Sequence, residues 1–206
     1  KEDTEFFPTR VLDVGCTETG LVRRVEPVKS INYIALSHCW GISKPFMTTC
    51  TTMDDRKSGF LSDSKIPKTF QDAITVTQKL GFRYLWIGSL CIIQEDVVDW
   101  AREASRMAGV YRCAYLTIGA LNASNDQQGF LTSRKLPDWE LRVFTTSADE
   151  KSTTICRRHH GDKFISPATF ALDNRAWTLQ EQYLSSRMLR FSDFITTWIC
   201  QETRHE

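Results

Sequence analysis

Apolar runs and 3.6-residue spacing divide the chain into a series of elements. Tyr33-Ile34-Ala35-Leu36-Ser37 is an almost continuous apolar run and reads as the first strong strand. It ends in a polar and aromatic turn, His38-Cys39-Trp40-Gly41. Residues 42 to 65 are mixed and polar and read as a long loop with one helical turn. A helix follows, capped by Asp63 or Ser64, with Pro67 in its first turn and Phe70, Ala73, Ile74 and Thr77 at helical spacing. Gly81 stands where a left-handed C-terminal cap belongs. Residues 83 to 87 are aromatic and β-branched and predict a second strand. The short apolar run Cys91-Ile92-Ile93 fits either class.

A second helix starts at Asp96 or Asp99 and carries Val97, Trp100, Ala101, Ala104, Met107, Ala108 and Tyr111 as its apolar stripe. Tyr115-Leu116-Thr117-Ile118 is a third strand. Strands alternating with helices over short connections favour a parallel sheet with right-handed crossovers. Beyond Gly119 the pattern turns to weaker strands at 141–144 and 153–156 and a short helix over 176–183, capped by Asp173-Asn174. A terminal hairpin follows, from Met188-Leu189-Arg190-Phe191 and residues 195–200. Residues 1–32 add a strand or hairpin at 10–14 and 21–25. The expected fold is one α/β domain over residues 1–206 with β additions at both ends.

Composition narrows the function classes. With 26 Lys and Arg against 25 Asp and Glu, no general excess of cation exists to neutralise a nucleic-acid backbone. No run approaches the ~20 apolar residues of a membrane span, so a membrane role is not expected. The seven cysteines are an odd, widely spaced set with no secretory signal ahead of them. They read as reduced thiols of a cytoplasmic protein. No C-x-x-C pair occurs and His159-His160 lacks a matching ligand set, so no metal is expected. There is no glycine-rich phosphate loop, so a nucleotide would be held by side chains and helix N-termini.

Ligands of an open parallel sheet bind beyond the carboxyl ends of its strands. Two segments lie there: Ser37, His38, Cys39 and Trp40 after the first strand, and Gly88, Ser89 and Cys91 after the second. Trp40 can stack on a base or a pyridine ring, or simply pack on a neighbouring loop. On a helical wheel Trp100, Ala104, Met107 and Tyr111 share one direction, and Glu103 lies about 60° to one side. A carboxylate at an apolar margin is partly desolvated and suits acid–base work or stabilisation of a developing cation. The alternative is a boundary glutamate paired with Arg or Lys. Cys39 or Cys91 with His38 forms a third candidate, a thiol nucleophile and its base. Arg175 reads as a clamp tying the C-terminal block, residues 175–181, to the sheet.

Several segments together resemble a known family. They are residues 33–41, 66–74, 80–87 and 89–94, then Asp99, Trp100, Glu103, Met107, Val110 and Tyr111, residues 114–118, and Arg175, Trp177 and 179–181. In this order, from about residue 33 to 200, they resemble the signature of the fungal heterokaryon incompatibility (HET) domain. That resemblance implies a toxic effector of fungal non-self recognition and regulated cell death. The family is considered distantly similar to Toll/interleukin-1 receptor (TIR) domains, which are flavodoxin-like. Several of those cleave NAD+ with a helical glutamate, to which Glu103 looks similar in position.

The implied chemistry is nicotinamide–ribose cleavage, with NAD+ as substrate rather than cofactor. Self-association for activity and a receptor or allelic partner protein are implied with it. Where the family typically reads Trp-Ile-Asp-Ser-Leu-Cys, this chain has Gly88 in place of the aspartate. Its loss from a strand's carboxyl end implies impaired activity. The alternative function is a non-enzymatic module that kills by assembling with partners.

Overall fold

The computed structural model describes residues 6–15, 21–41, 46–61, 66–133, 141–146, 153–158, 172, 176–193 and 195–201. The expected caps at Asp63 or Ser64 and at Asp173-Asn174, the clamp residue Arg175 and His159-His160 lie outside these residues. Ten strands and five helices occur among those described. They run β1 (Val11–Asp13), β2 (Leu21–Val25), β3 (Tyr33–Ser37), α1 (Met53–Ser58), β4 (Phe60–Leu61), α2 (Lys68–Lys79), β5 (Tyr84–Ile87) and α3 (Gly88–Cys91). Then come α4 (Val97–Cys113), β6 (Leu116–Ala120), β7 (Leu141–Thr146), β8 (Thr153–Arg158), α5 (Ala176–Leu184), β9 (Arg187–Phe191) and β10 (Thr196–Cys200).

Eight strands form one mixed sheet in the order β10-β9-β6-β3-β5-β1-β2-β4. The four in the middle, β9, β6, β3 and β5, are parallel to one another. Their neighbours on both flanks, β1, β2, β4 and β10, join antiparallel. All five residues of β3 and all five of β6 are buried, which is why both segments read as apolar runs without alternation. β2 alternates instead, because one of its faces meets solvent. β7 and β8 pair as a separate hairpin.

α2 runs from Pro67 at its N-cap position to Leu80, and Gly81 follows with φ 79°, the left-handed stop its position suggests. The buried face of α2, Phe70, Ala73 and Ile74, joins Ile34, Leu36, Leu85, Ile87 and Ile118 in the main core. The Cys91 run resolves into α3, followed by a single parallel bridge from Ile93 to Thr48. The long loop expected over 42–65 contains α1 and also β4, which extends the sheet by pairing with β2.

The stripe expected on α4 is turned. Asp96 caps the helix, accepting from the Val98 and Asp99 backbone N–H groups at 2.9 and 3.0 Å. Asp99, Glu103, Val110 and Tyr111 are its buried residues, whereas Val97 and Val98 are 80% and 76% exposed. The physical reason is Arg10, which precedes β1. It is buried and binds Asp99 and Glu103, so the acidic flank of α4 faces the protein and the apolar start of the helix faces solvent. Among the described residues no helix is long and apolar enough to cross a membrane.

Candidate functional site

β3 and β5 are parallel neighbours, so the segments leaving Ser37 and Ile87 emerge from the same edge of the sheet. A cavity of about 230 Å³ opens there. Leu36, His38 and Trp40 line it from the end of β3, and Trp86, Gly88, Ile92 and Gln94 from β5 and beyond. Trp100, Ala104, Met107 and Tyr111 of α4 close the opposite side, the four positions that share one direction on the helical wheel. Glu181 of α5 completes the lining.

Local geometry holds this wall in place. The Tyr111 hydroxyl donates to the Leu36 carbonyl at 3.3 Å, and the Tyr111 ring meets Trp86 edge-on with centroids 5.5 Å apart. His38 is buried edge-on against Phe70 at 5.0 Å. Gly41 ends the turn with φ 80°, and a Cβ there would lie 2.5 Å from the Asn125 Cβ. The turn that presents Trp40 therefore needs glycine at position 41.

Among the described lining residues Glu181 supplies the single carboxylate, and none is lysine or arginine. It is buried and accepts a hydrogen bond from the Ser37 hydroxyl at the tip of β3. Ser185 fixes the same helix from behind, donating to the Glu181 carbonyl at 2.6 Å and meeting the Thr117 hydroxyl of β6 at 2.7 Å. The sequence reading placed Glu181 in an anchoring block and assigned it no chemistry. The available signal was spacing: Thr178, Glu181 and Ser185 stand three or four residues apart, and the structure buries all three.

Of the residues singled out in the sequence, His38, Trp40 and Gly88 line the cavity. Ser37 stands behind Glu181 and acts on it. Cys39 packs with Leu121 and Leu172 in a small separate cluster, away from the lining. Ser89 is fully buried and not part of the lining. Cys91 belongs to the main core, where burial pushes its thiol pKa up to about 12. Burial disfavours its thiolate, which weighs against the Cys91 version of the thiol-nucleophile reading. Among the described residues no group of three or more His, Cys, Asp or Glu side chains is placed to hold a metal ion.

Glu103 stands apart from the lining residues. It is buried, but it does not line the cavity. Its Oε1 lies 3.3 Å from Arg10 Nη2 and 3.3 Å from Arg102 Nε. The paired-boundary alternative therefore describes its surroundings. Asp99 is drawn into the same network. Arg10 reaches its Oδ1 at 2.5 Å, Arg102 bonds the same oxygen, and the Ile93 N–H donates to Oδ2 at 3.0 Å.

Burial alone would raise the Asp99 pKa, but the Arg10 hydrogen bond, the Ile93 N–H and the charges of Arg10 and Arg102 hold it below the ordinary carboxylate range. A carboxyl depressed in the folded state stabilises the fold at pH values above its unfolded pKa of about 3.9. That contribution is lost as pH falls through the lower, folded value. Urea denaturation is expected to show stability declining with acid below about pH 4, and Asp99→Asn to flatten that decline. A decline of equal steepness in the variant assigns the acid sensitivity to other groups.

The model of the heterokaryon incompatibility protein (HET) family matches residues 33–181. No curated protein and no solved structure matches the chain. The family match begins at β3, so the β1–β2 hairpin that supplies Arg10 precedes it.

Proposed function

From the premise that this chain belongs to the heterokaryon incompatibility family, we propose that it is a cytoplasmic cell-death effector of fungal non-self recognition that cleaves the nicotinamide–ribose bond of NAD+. The observation that carries the reading is the cavity at the tips of β3 and β5, walled by Trp40, Trp86 and Trp100 and holding the Glu181 carboxylate. A flat cationic ring suits such walls, since aromatic faces and a single negative group both attract cations. The parallel strands lie in the order β5-β3-β6-β9. Numbered in chain order this is 2-1-3-4, the flavodoxin-like arrangement expected of a TIR-like fold.

At about 230 Å³ the cavity is smaller than sites that enclose a whole drug-sized ligand. It accommodates one end of a dinucleotide. The described lining residues carry a carboxylate and no lysine or arginine, which favours the pyrophosphate outward and the nicotinamide–ribose inward. When the C–N bond breaks, its electron pair stays on the nicotinamide nitrogen and the ribose becomes an oxocarbenium ion. Glu181, held by Ser37, stabilises that charge. Water then adds to the ribose carbon and releases a proton, giving ADP-ribose and nicotinamide. Glu103 acts at a distance, as part of the ion-pair network that orients α4 and hence Trp100 and Met107.

Gly88 bears on the rate. A Cβ at this position would lie 3.3 Å from the Trp86 ring, a contact that a shift of a few tenths of an ångström relieves. Both residues line the cavity, so an aspartate here adds a second carboxylate to it. Gly88→Asp is expected to raise NAD+ consumption by about 10²-fold, the lower end of what one positioned acid–base group contributes. Nicotinamide release by purified protein at high concentration measures it. If a folded Gly88→Asp variant and the parent both leave NAD+ intact, the enzymatic reading is lost.

A second reading has its own support. Val97, Val98 and Trp100 expose a contiguous apolar start of α4. Such a patch suits self-association or docking on a receptor or allelic partner, with killing by assembly alone. Toxicity that persists in Glu181→Gln cells whose NAD+ level is unchanged favours this second reading.

A further inference from the structure

β2 carries an arginine where its alternation calls for an apolar side chain. Val22 and Arg24 are its two inward positions, and Arg24 is only 3% exposed. Its Nε, Nη1 and Nη2 are all buried, and none has a hydrogen-bond partner among the described residues. Buried guanidinium groups are normally paired, because desolvation of an unpaired charge is severely unfavourable.

The surroundings sharpen the imbalance. The β1–β2 register sets Leu12 opposite Arg24 and Val11 opposite Val25, which places Arg24 diagonal to Arg10 on one face of the hairpin. The groups whose charges reach Arg24 are Arg10, Glu26, Cys91 and Asp99. Glu26 is exposed, and burial keeps the Cys91 thiol protonated. Asp99 and Glu103 are already engaged by Arg10 and Arg102. Both buried carboxylates thus have their hydrogen-bonding capacity directed at Arg10 and Arg102, and among the described residues no carboxylate bonds the Arg24 guanidinium. Burial and the neighbouring Arg10 both lower the Arg24 pKa, in keeping with a cation lacking its anion.

We propose that the domain holds a small oxyanion against Arg24, between the β1–β2 hairpin and the start of α4. The parallel N–H groups of a guanidinium match two oxygens of a phosphate or a carboxylate, so the ligand is an oxyanion of that kind. The site is separate from the cavity, since neither Arg10 nor Arg24 lines it. With its donors sealed from bulk solvent, it exchanges its anion through local opening of the hairpin.

Thermal unfolding of the chain in sodium phosphate, against sodium chloride at equal pH and ionic strength, tests the site. Phosphate near a hundred times its dissociation constant is expected to raise the wild-type Tm by about 5 °C or more. Arg24→Met is expected to abolish that rise. In chloride alone Arg24→Met melts no lower than the wild type, because it removes an uncompensated buried charge. Arg24→Gln, neutral and of similar length, repeats the measurement should the methionine variant not fold. Equal wild-type Tm values in the two salts overturn the proposal, and so does an equal phosphate rise in wild type and variant. A marked loss of stability in chloride for both variants also overturns it, since an internal carboxylate then already holds Arg24.

Discussion

Glu181→Gln is expected to lower NAD+ cleavage by about 10²–10³-fold, the usual loss when one preorganised electrostatic group is removed from a reacting centre. The substitution keeps the shape of the side chain and an oxygen for Ser37 to bond, so the fold is expected to survive it. What it removes is the negative charge. Since Glu181 is the lone carboxylate among the described lining residues, none of those side chains takes over its role. Nicotinamide release, measured in both the parent and the Gly88→Asp background, reads the effect. Glu103→Gln is the matched control. Its loss of activity should track its loss of stability, because Glu103 touches Arg10 and Arg102 and not the cavity. If Glu103→Gln abolishes turnover in a protein as stable as the parent while Glu181→Gln spares it, the two glutamates exchange roles.

Arg10→Met is expected to destabilise the domain by about 3–5 kcal/mol, the range found when one partner is removed from a buried ion pair. Arg10 is the buried cation that Asp99 and Glu103 share, and Arg102, which also reaches both, is exposed. Without Arg10, two carboxylates on adjacent turns of α4 stay buried against each other, bonded only by the exposed Arg102, with Arg24 near but not hydrogen-bonded to them. Equilibrium urea denaturation measures the loss. A double-mutant cycle with Glu103→Gln should recover part of it, since the second substitution removes one of the stranded charges. A loss below about 1 kcal/mol would place the network among ion pairs that contribute little. The same substitution frees α4 to turn, so the fluorescence of Trp100 at the cavity is expected to change with it.

Much of the architecture was legible because one element's own residues decide it. The segments 33–37 and 115–118 marked strands, and the structure buries every residue of β3 and β6. Gly81 announced the end of α2, because a positive φ is a local property of one residue. Asp96 capped α4, because a cap needs only the N–H groups two and three residues ahead. Residues 21–25 were read as a strand, and in the structure their burial alternates because one face is wet. The convergence of the segments after Ser37 and Ile87 followed from the parallel pairing that the alternation of strands and helices implied.

The carboxylate was not legible in the same way. From its own neighbours Glu103 sat beside the stripe of Trp100, Ala104, Met107 and Tyr111, and those four residues do line the cavity. Which way the flank of α4 turns depended on Arg10, 93 positions earlier in the numbering, and no periodicity within the helix carries that information. Glu181 reached the cavity because α5 packs against α4 and Ser37 waits at the end of β3, 144 residues away. The sequence by itself determined which segments become strands and helices, where they stop, and which edge of the sheet gathers polar and aromatic groups. Only the tertiary structure decided which of two buried glutamates faces that edge, because the choice rests on long-range charge pairing between segments that local spacing does not connect.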